Sequence, residues 1–437
     1  MSKKVGMISL GCPKNQVDGE IMLSKLADNG FEITNDVDGA DVVIVNTCGF
    51  IEDAKKEAIE NILDMVELKK EGVIRKIVVT GCLAERYRDE VLSEIPEVDA
   101  VVGIGSNSDI CEVCEKVCGG EENIKTFGEK TCLPLDGKRM LTTPSYYAYI
   151  KIGEGCSNNC TYCAIPSIRG KYRSRTPESI LEEAKTLVDG GVKELIVVAQ
   201  DTTRYGEDLF GKCALPALLT SLSKIEGLEW IRVLYLYPER LSDEIIDTFA
   251  NNDKIVKYMD IPIQHCNSDI LRRMNRRGSK EELTALITKI REKIPDVVLR
   301  TTLITGFPGE TELSEFVKEM KFDRLGCFAY SQEEGTPAAE FPDQVDEEIR
   351  KKRGEIIMEQ QYNIFEKLNH DNIGKTMRCV VEGYDGYTDS YYGRTWGDAP
   401  DIDGSVSFTC GYELNEGDFV DVEIFDVNEY DLIGEVI

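Results

Sequence analysis

Histidine is nearly absent: His265 and His370 are the only two in 437 residues. That count argues against a zinc site built from mixed cysteine and histidine ligands. Long apolar runs are missing as well, and none approaches the roughly 18 residues of a membrane span. The opening MSKKVGMISLG carries one short apolar stretch with strand character, unlike the core of a signal peptide. A cytoplasmic protein without a membrane partner is expected. Basic residues are in deficit, 51 against 80 acidic, for a net charge of −29. A chain this acidic repels phosphate backbones at long range and attracts basic partners. Internal repeats and low-complexity segments are absent.

Cysteine, in contrast, is plentiful. Fifteen are scattered through the chain. An odd number in a long chain expected in a reducing compartment points to thiols and metal ligation rather than a disulfide framework.

The length implies two or three domains. Residues 1–120 alternate apolar runs, VGMISL (5–10), DVVIVN (41–46), KIVVTG (76–81) and VDAVVG (98–103), with helical spacing near 16–29, 50–70 and 84–93. This predicts an α/β domain with a parallel sheet. A polar stretch with Gly and Pro, 121–144, reads as a linker. Over 145–371, six strand candidates (YAYIKI, ELIVVA, IRVLYL, YMDIPI, VLRTTLI, LGCFAY) alternate with helical segments near 177–190, 214–225, 241–251, 279–292 and 311–320. Six βα units in series predict a partial barrel of TIM type, with its chemistry at the carboxyl ends of the strands. A charged helix over 343–371 closes it. Residues 375–437 change to period-two alternation between Gly, Asp and Asn turns, as in a small antiparallel β-barrel.

The segment GCSNNCTYC (155–163) places Cys156, Cys160 and Cys163 in a C-x3-C-x2-C spacing directly after the first barrel strand. Thiolates this close on one loop suit an iron–sulfur cube, whose irons each accept one sulfur. Three ligands leave one iron open, the mark of a site that binds and activates a small molecule.

This loop resembles that of the radical S-adenosylmethionine (SAM) superfamily. The resemblance implies a [4Fe-4S] cluster whose fourth iron is chelated by SAM. One-electron cleavage of SAM then gives a 5′-deoxyadenosyl radical, with the protein positioning the cofactor. It also implies cofactor contacts from Tyr162, from Ala199, Gln200 and Asp201 at the end of the second strand, and from Gly306 and Gly309 in TTLITGFPGE, where backbone would approach the adenosine.

Cys12, Cys48 and Cys82 each lie just past a predicted parallel strand: MISLGC, VVIVNTC and IVVTGC. Strands of one parallel sheet point the same way, so the three thiols emerge at one carboxyl edge, where such folds bind ligands. A second cluster, again with an open iron, follows. The triplet Cys111, Cys114 and Cys118 mimics this pattern, but its spacing puts it on one helix face with Ile110, as buried small side chains.

Two open clusters followed by a β-barrel tail resemble the methylthiotransferases over essentially the whole chain. That family carries an amino-terminal cluster domain, a radical SAM barrel and a carboxyl-terminal TRAM domain. The resemblance implies sulfur and methyl insertion into a C–H bond with two SAM molecules, and it implies an electron donor and a sulfur donor. Most members modify an adenosine of transfer RNA. The segments SLGCPKNQVD, CTYCAIPSIRGKYRSR, AQDTTRYGEDL, YLYPERLSDE and GRTWGDAPDIDG resemble instead the branch that methylthiolates the β-carbon of an aspartate in ribosomal protein S12, free or within the small ribosomal subunit. One departure is Gly19, where that branch usually has Ser; no ligand is affected.

Charge agrees with this branch. Residues 375–437 hold fifteen acidic against three basic residues. A small barrel for RNA needs a positive groove beside its stacking aromatics, and this field has the opposite sign. It suits a strongly basic ribosomal protein. Two basic clusters, Arg169, Lys171, Arg173 and Arg175, and Arg272, Arg273, Arg276 and Arg277, are candidates for holding a substrate or cofactor carboxylate, the first favoured because it follows Cys163 closely. The alternatives are a transfer RNA methylthiotransferase and a non-catalytic iron–sulfur or RNA-binding protein. The last predicts closed four-cysteine clusters, whereas only three cysteines approach each proposed site.

Overall fold

In the computed structural model, residues 2–310 and 313–437 are described. Strands β1 (Lys4–Ser9), β2 (Glu32–Thr34), β3 (Val42–Thr47), β4 (Lys76–Gly81), β5 (Ala100–Val102) and β6 (Ile124–Thr126) form a parallel sheet in the order β2-β1-β3-β4-β5-β6. Both faces of β3 are buried. Val43 and Val45 meet the helix Glu52–Lys70, while Val42 and Ile44 meet the helices Pro13–Asp28 and Ile110–Cys118. Burial on two sides is why the strand reads as an unbroken apolar run. Edge strands β2 and β6 have three residues each, too few for a periodic signal. β6 lies inside the stretch expected to be a linker, so the start of that stretch completes the sheet. Cys114 is buried in the core beside Ile110 and Val117, with Cys111 and Cys118 against its edge, as the packing reading of that triplet anticipates.

The central domain contains β7 (Tyr147–Lys151), the hairpin pair β8 (Gly153–Glu154) and β9 (Arg173–Ser174), then β10 (Glu194–Val198), β11 (Trp230–Val233), β12 (Ile255–Asp260), β13 (Val298–Thr305) and β14 (Arg324–Ala329). Six of these form an open parallel sheet, β14-β13-β12-β11-β10-β7. The helices Pro177–Asp189, Leu215–Leu222, Asp243–Asn251, Lys280–Lys293 and Ser314–Met320 alternate with them. The helix expected over 311–320 has its first two residues outside the described residues. Thr176, Ser242 and Ser279 each cap a helix by accepting a backbone N–H three residues on. The closing helix is Glu347–His370.

Strands β15 (Thr376–Asp385), β16 (Ser390–Thr395), β17 (Val406–Thr409), β18 (Phe419–Asn428) and β19 (Asp431–Val436) close into a five-stranded barrel. It seats on the amino ends of the central strands. Its Val380 and Ala399 pack with Tyr147, Tyr149, Trp230 and Tyr258, and the same cluster includes Val17 and Ile21 of the first domain. Tyr258 donates to Asp403 at 2.7 Å, and Arg324 pairs with Asp398 at 2.6 Å. One end of the central barrel is thereby filled, which leaves chemistry to the carboxyl end.

Glu194 anchors this junction. It accepts from Arg232 at 2.9 Å and pairs with Arg394 of β16, all three side chains being buried. Burial alone would raise its carboxyl, but the Arg394 and Arg232 guanidinium groups more than offset that and hold it below the ordinary range. Glu194→Ala leaves the buried Arg232 without a carboxylate and Arg394 with Glu382 alone, at 2.8 Å, and is expected to cost about 3–5 kcal/mol, read as a lower urea midpoint. Because the folded-state value is depressed, the contribution is complete above about pH 4.3 and fades as pH falls through the lower folded value.

Candidate active site between two cysteine triads

The loop bearing Cys156, Cys160 and Cys163 leaves β8 and is fixed by backbone and side-chain bonds. The Cys156 N–H donates to the Gly170 carbonyl at 3.0 Å, and the Thr161 N–H and hydroxyl donate to the Met274 and Arg273 carbonyls at 3.0 and 2.8 Å. Asn158 donates to Asp201 at 2.8 Å, which ties the loop to the end of β10. The Tyr237 hydroxyl lies 3.6 Å from the Cys160 sulfur, its ring covered by the Arg276 guanidinium at 4.0 Å. Burial pushes the Cys156 thiol up to about 11. Cys163 is raised further, by burial and then by its neighbour Cys160. Thiols in this setting ionise when a cation binds them.

The second triad is assembled by three glycines at adjacent strand ends. A Cβ on Gly11 would lie 2.7 Å from the Cys48 Cβ, one on Gly49 2.7 Å from the Leu83 Cα, and one on Gly81 2.6 Å from the Thr47 nitrogen. Each close approach brings one cysteine-bearing turn onto the next. Cys12 stands at the residue preceding the helix Pro13–Asp28, with no side-chain capping bond, and Cys82 opens the helix Cys82–Tyr87. Burial raises the Cys12 thiol, but the Lys14 ammonium and Arg169 guanidinium more than offset it, leaving it below its ordinary value. Cys48 is raised by burial and by Cys12, and burial pushes Cys82 up to about 12. Gly81 has φ 92° and ψ −160°, backbone that essentially only glycine adopts. Gly81→Ala is expected to cost about 1–3 kcal/mol in backbone strain alone. Iron bound per chain after anaerobic reconstitution should fall in parallel with the melting temperature.

The two triads meet. Cys82 packs directly against Ala164, the residue after Cys163, and against Ile168. Around this contact the first domain is bolted to the barrel on both flanks. On one side Arg86 and Lys55 hold Glu333 at 2.6 and 3.1 Å. On the other, Arg139 joins Glu20 to Glu183 at 2.6 Å each. Between them lies a fully buried polar network. Lys151 pairs with Asp18 and, at 3.0 Å, with Glu154; Arg169 reaches Asp18 and Glu154 at 2.9 Å each. The Arg169 Nε donates to the Cys82 sulfur at 3.4 Å. Burial would raise the Glu154 carboxyl, yet Arg169 and Lys151 hold it far below its ordinary range.

The other residues expected at the site divide. Gln200 donates to Glu154 at 2.8 Å while its buried Oε1 has no partner, so it retains an acceptor for a ligand. Asp201 is buried and committed to Asn158 and Thr203. Ala199 sits in the core between strands and helices, so only its backbone is free to meet a ligand. Tyr162 packs beside Ile270, Met274, Phe307 and Tyr330. Gly306 has φ 70°, donates its N–H to Glu310, and gives its missing Cβ's space to Arg350, where a Cβ would lie 2.7 Å from that of Arg350. Gly309 likewise makes room for Arg273.

The basic clusters are mostly occupied. Arg175 bonds the Lys151 carbonyl and Ser179, Arg173 bonds the Thr131 and Lys130 carbonyls, and Arg276 pairs with Glu239. Arg169 is the one that reaches a cysteine. One sequence signal pointed to this network: Lys151 interrupts the apolar strand YAYIKI, and a charge inside a buried strand demands partners.

Among the described residues, no group of three or more His, Cys, Asp or Glu side chains is arranged to hold a single metal ion. A cubane asks for something else, three thiolates each on its own iron, and each triad offers three cysteine sulfurs, the donor type that such a group takes.

Residues 4–103 match the family described as uncharacterized protein family UPF0004, residues 150–323 the radical SAM superfamily, and residues 373–437 the TRAM domain. The ribosomal protein uS12 methylthiotransferase RimO of Acetivibrio thermocellus is 50% identical, covering 100% of this chain and 99% of its own. The protein of that name from Lachnoclostridium phytofermentans is 51% identical, with 99% of both chains covered. Among solved structures, the radical SAM methyltransferase TsrM from Kitasatospora setae superposes with a TM-score of 0.59 at 14% identity, over 77% of each chain, a likeness of fold. The chain belongs to the ribosomal protein uS12 methylthiotransferase RimO family.

Proposed function

We propose that this protein is a cytoplasmic radical SAM methylthiotransferase that places a methylthio group on the β-carbon of an aspartate in ribosomal protein uS12. Cys156, Cys160 and Cys163 hold one [4Fe-4S] cluster and Cys12, Cys48 and Cys82 the other. When bound, the clusters and SAM supply one-electron cleavage of the cofactor and an iron at which sulfur can be held. The observation that carries this reading is the packing of Cys82 against Ala164, the residue after Cys163, which puts one cysteine of the first domain beside the loop that carries the other three. Asn158 and Asp201 hold the first loop in place, and Gln200, with a free acceptor at its tip, is the candidate contact for the methionyl amino group.

Substrate choice follows charge. Of the three basic residues in the TRAM barrel, Arg394 is buried against Glu194 and Arg378 pairs with Glu229 at 2.8 Å. The outer face is left acidic, with Tyr384, Tyr387, Tyr412 and Phe425 exposed on it. That surface favours a basic protein over a phosphate backbone. An electron donor and a sulfur donor complete the set of partners.

Mass spectrometry of uS12 and of transfer RNA from cells lacking the gene tests the choice. Loss of the methylthio group from uS12 with unchanged transfer RNA is expected. The reverse pattern would establish the RNA activity instead.

A further inference from the structure

Arg169 lies at the end of the five-residue helix Ile165–Arg169, six positions after Cys163. It is therefore joined by a few rigid residues to the radical-site loop, yet its guanidinium lies in the other triad. Its side chain is 1% exposed. Each guanidinium nitrogen reaches the first domain: Nε the Cys82 sulfur at 3.4 Å, Nη1 Asp18 at 2.9 Å, and Nη2 the Asn15 Oδ1 at 3.2 Å, while Nη1 also bonds Glu154 of its own domain at 2.9 Å. Asn15 and Asp18 belong to the helix that follows Cys12, and Cys82 opens its own helix. One side chain thus grips two of the three turns that carry the amino-terminal triad.

We propose that Arg169 is the positioning residue of the amino-terminal centre, a charged strut that fixes it to the radical-site loop and sets its reduction potential. This rests on the reading that both triads hold clusters. Two physical effects are involved. A planar five-donor fork held by two carboxylates permits one orientation, which a flexible ammonium does not reproduce. A hydrogen bond and a buried positive charge at a ligand sulfur stabilise the more reduced, more negative cluster, and so raise its potential. The carboxylates of Asp18 and Glu154 oppose that charge in part but sit beyond it, whereas the guanidinium itself meets the sulfur.

The test uses the full chain with Cys156, Cys160 and Cys163 all changed to Ala, so that only the amino-terminal centre can form. Arg169→Gln and Arg169→Lys are added to this parent, and each midpoint potential is measured by anaerobic titration followed by electron paramagnetic resonance. Arg169→Gln is expected to shift the midpoint to a more negative value. Arg169→Lys, which keeps the ion pairs with Asp18 and Glu154 and preserves the fold, should fall between Gln and the parent. The same changes in the reciprocal background, with Cys12, Cys48 and Cys82 replaced by Ala, should move the radical-site midpoint less. An unchanged midpoint in Arg169→Gln, a Lys variant no different from Gln, or equal shifts in both backgrounds overturns the proposal. Absence of iron in the parent itself, before Arg169 is touched, would instead bring down the two-cluster reading on which the proposal stands.

Discussion

Changing Cys156, Cys160 or Cys163 to Ala is expected to abolish release of 5′-deoxyadenosine from SAM, to the background of protein-free controls. The reason is geometric as well as chemical. The loop is pinned at Cys156, Asn158 and Thr161, through Gly170, Asp201, Met274 and Arg273, which resists its sliding to present a substitute ligand. One polar neighbour is the Tyr237 hydroxyl, 3.6 Å from Cys160, which belongs to a phenol raised well above its ordinary value, by burial first, despite the Arg276 guanidinium. A group that resists ionisation does not replace a thiolate on iron. Chromatographic assay of deoxyadenosine under strictly anaerobic conditions checks this. Cofactor cleavage persisting in any of the three variants would contradict the assignment of that cysteine.

Changing Cys12, Cys48 or Cys82 should give the complementary result: deoxyadenosine is still released, while methylthio-aspartate in uS12 falls below detection. The two sites are packed together but built from different domains, and the loop contacts that hold the radical-site triad come from the central domain. Some loss of cleavage is expected for Cys82→Ala in particular, because the side chain fills space against Ala164 and Ile168. Cys48→Ala, whose side chain packs on Gly11 within the first domain, should spare cleavage better. The pair of measurements, deoxyadenosine by chromatography and the modified peptide by mass spectrometry, separates the two functions. Sulfur insertion that survives in these variants would remove the amino-terminal triad from the chemistry.

The parts of this arrangement that were legible in the sequence are those that local chemistry constrains. C-x3-C-x2-C is a spacing that a cluster imposes within one loop, and Cys12, Cys48 and Cys82 were readable because a parallel sheet makes successive strand ends equivalent. Strands buried on both faces announced themselves as unbroken apolar runs, VVIV of β3 in the first domain and LIVV of β10 in the central one. What was hidden lies in long-range polar contacts. Asp18 and Lys151 are 133 positions apart, and Asp18 and Arg169 are 151 apart. No periodicity links them. Arg169 read as one of four equivalent basic residues near Cys163; only the fold distinguishes it from Arg173 and Arg175, which are spent on carbonyls and Ser179. Gly306 shows the converse. Its left-handed backbone was legible as a special position, but the space it creates is filled by Arg350 of the closing helix, which no local pattern reveals.

The position of the TRAM barrel has a similar explanation. Its strands were evident from alternation, whereas its seat at the amino ends of the central strands depends on Arg394 finding Glu194 two hundred residues away. That seat matters for function, since it fills the end opposite the cysteines and turns an acidic, tyrosine-bearing face outward.

Mössbauer spectroscopy of anaerobically reconstituted protein, combined with iron analysis, bears most directly on the central claim. About eight irons per chain in two cubane centres are expected, with one iron of each distinguishable from the other three and, in the radical-site centre, altered when SAM is added. A single centre, or two centres in which every iron is held by polypeptide, would contradict it.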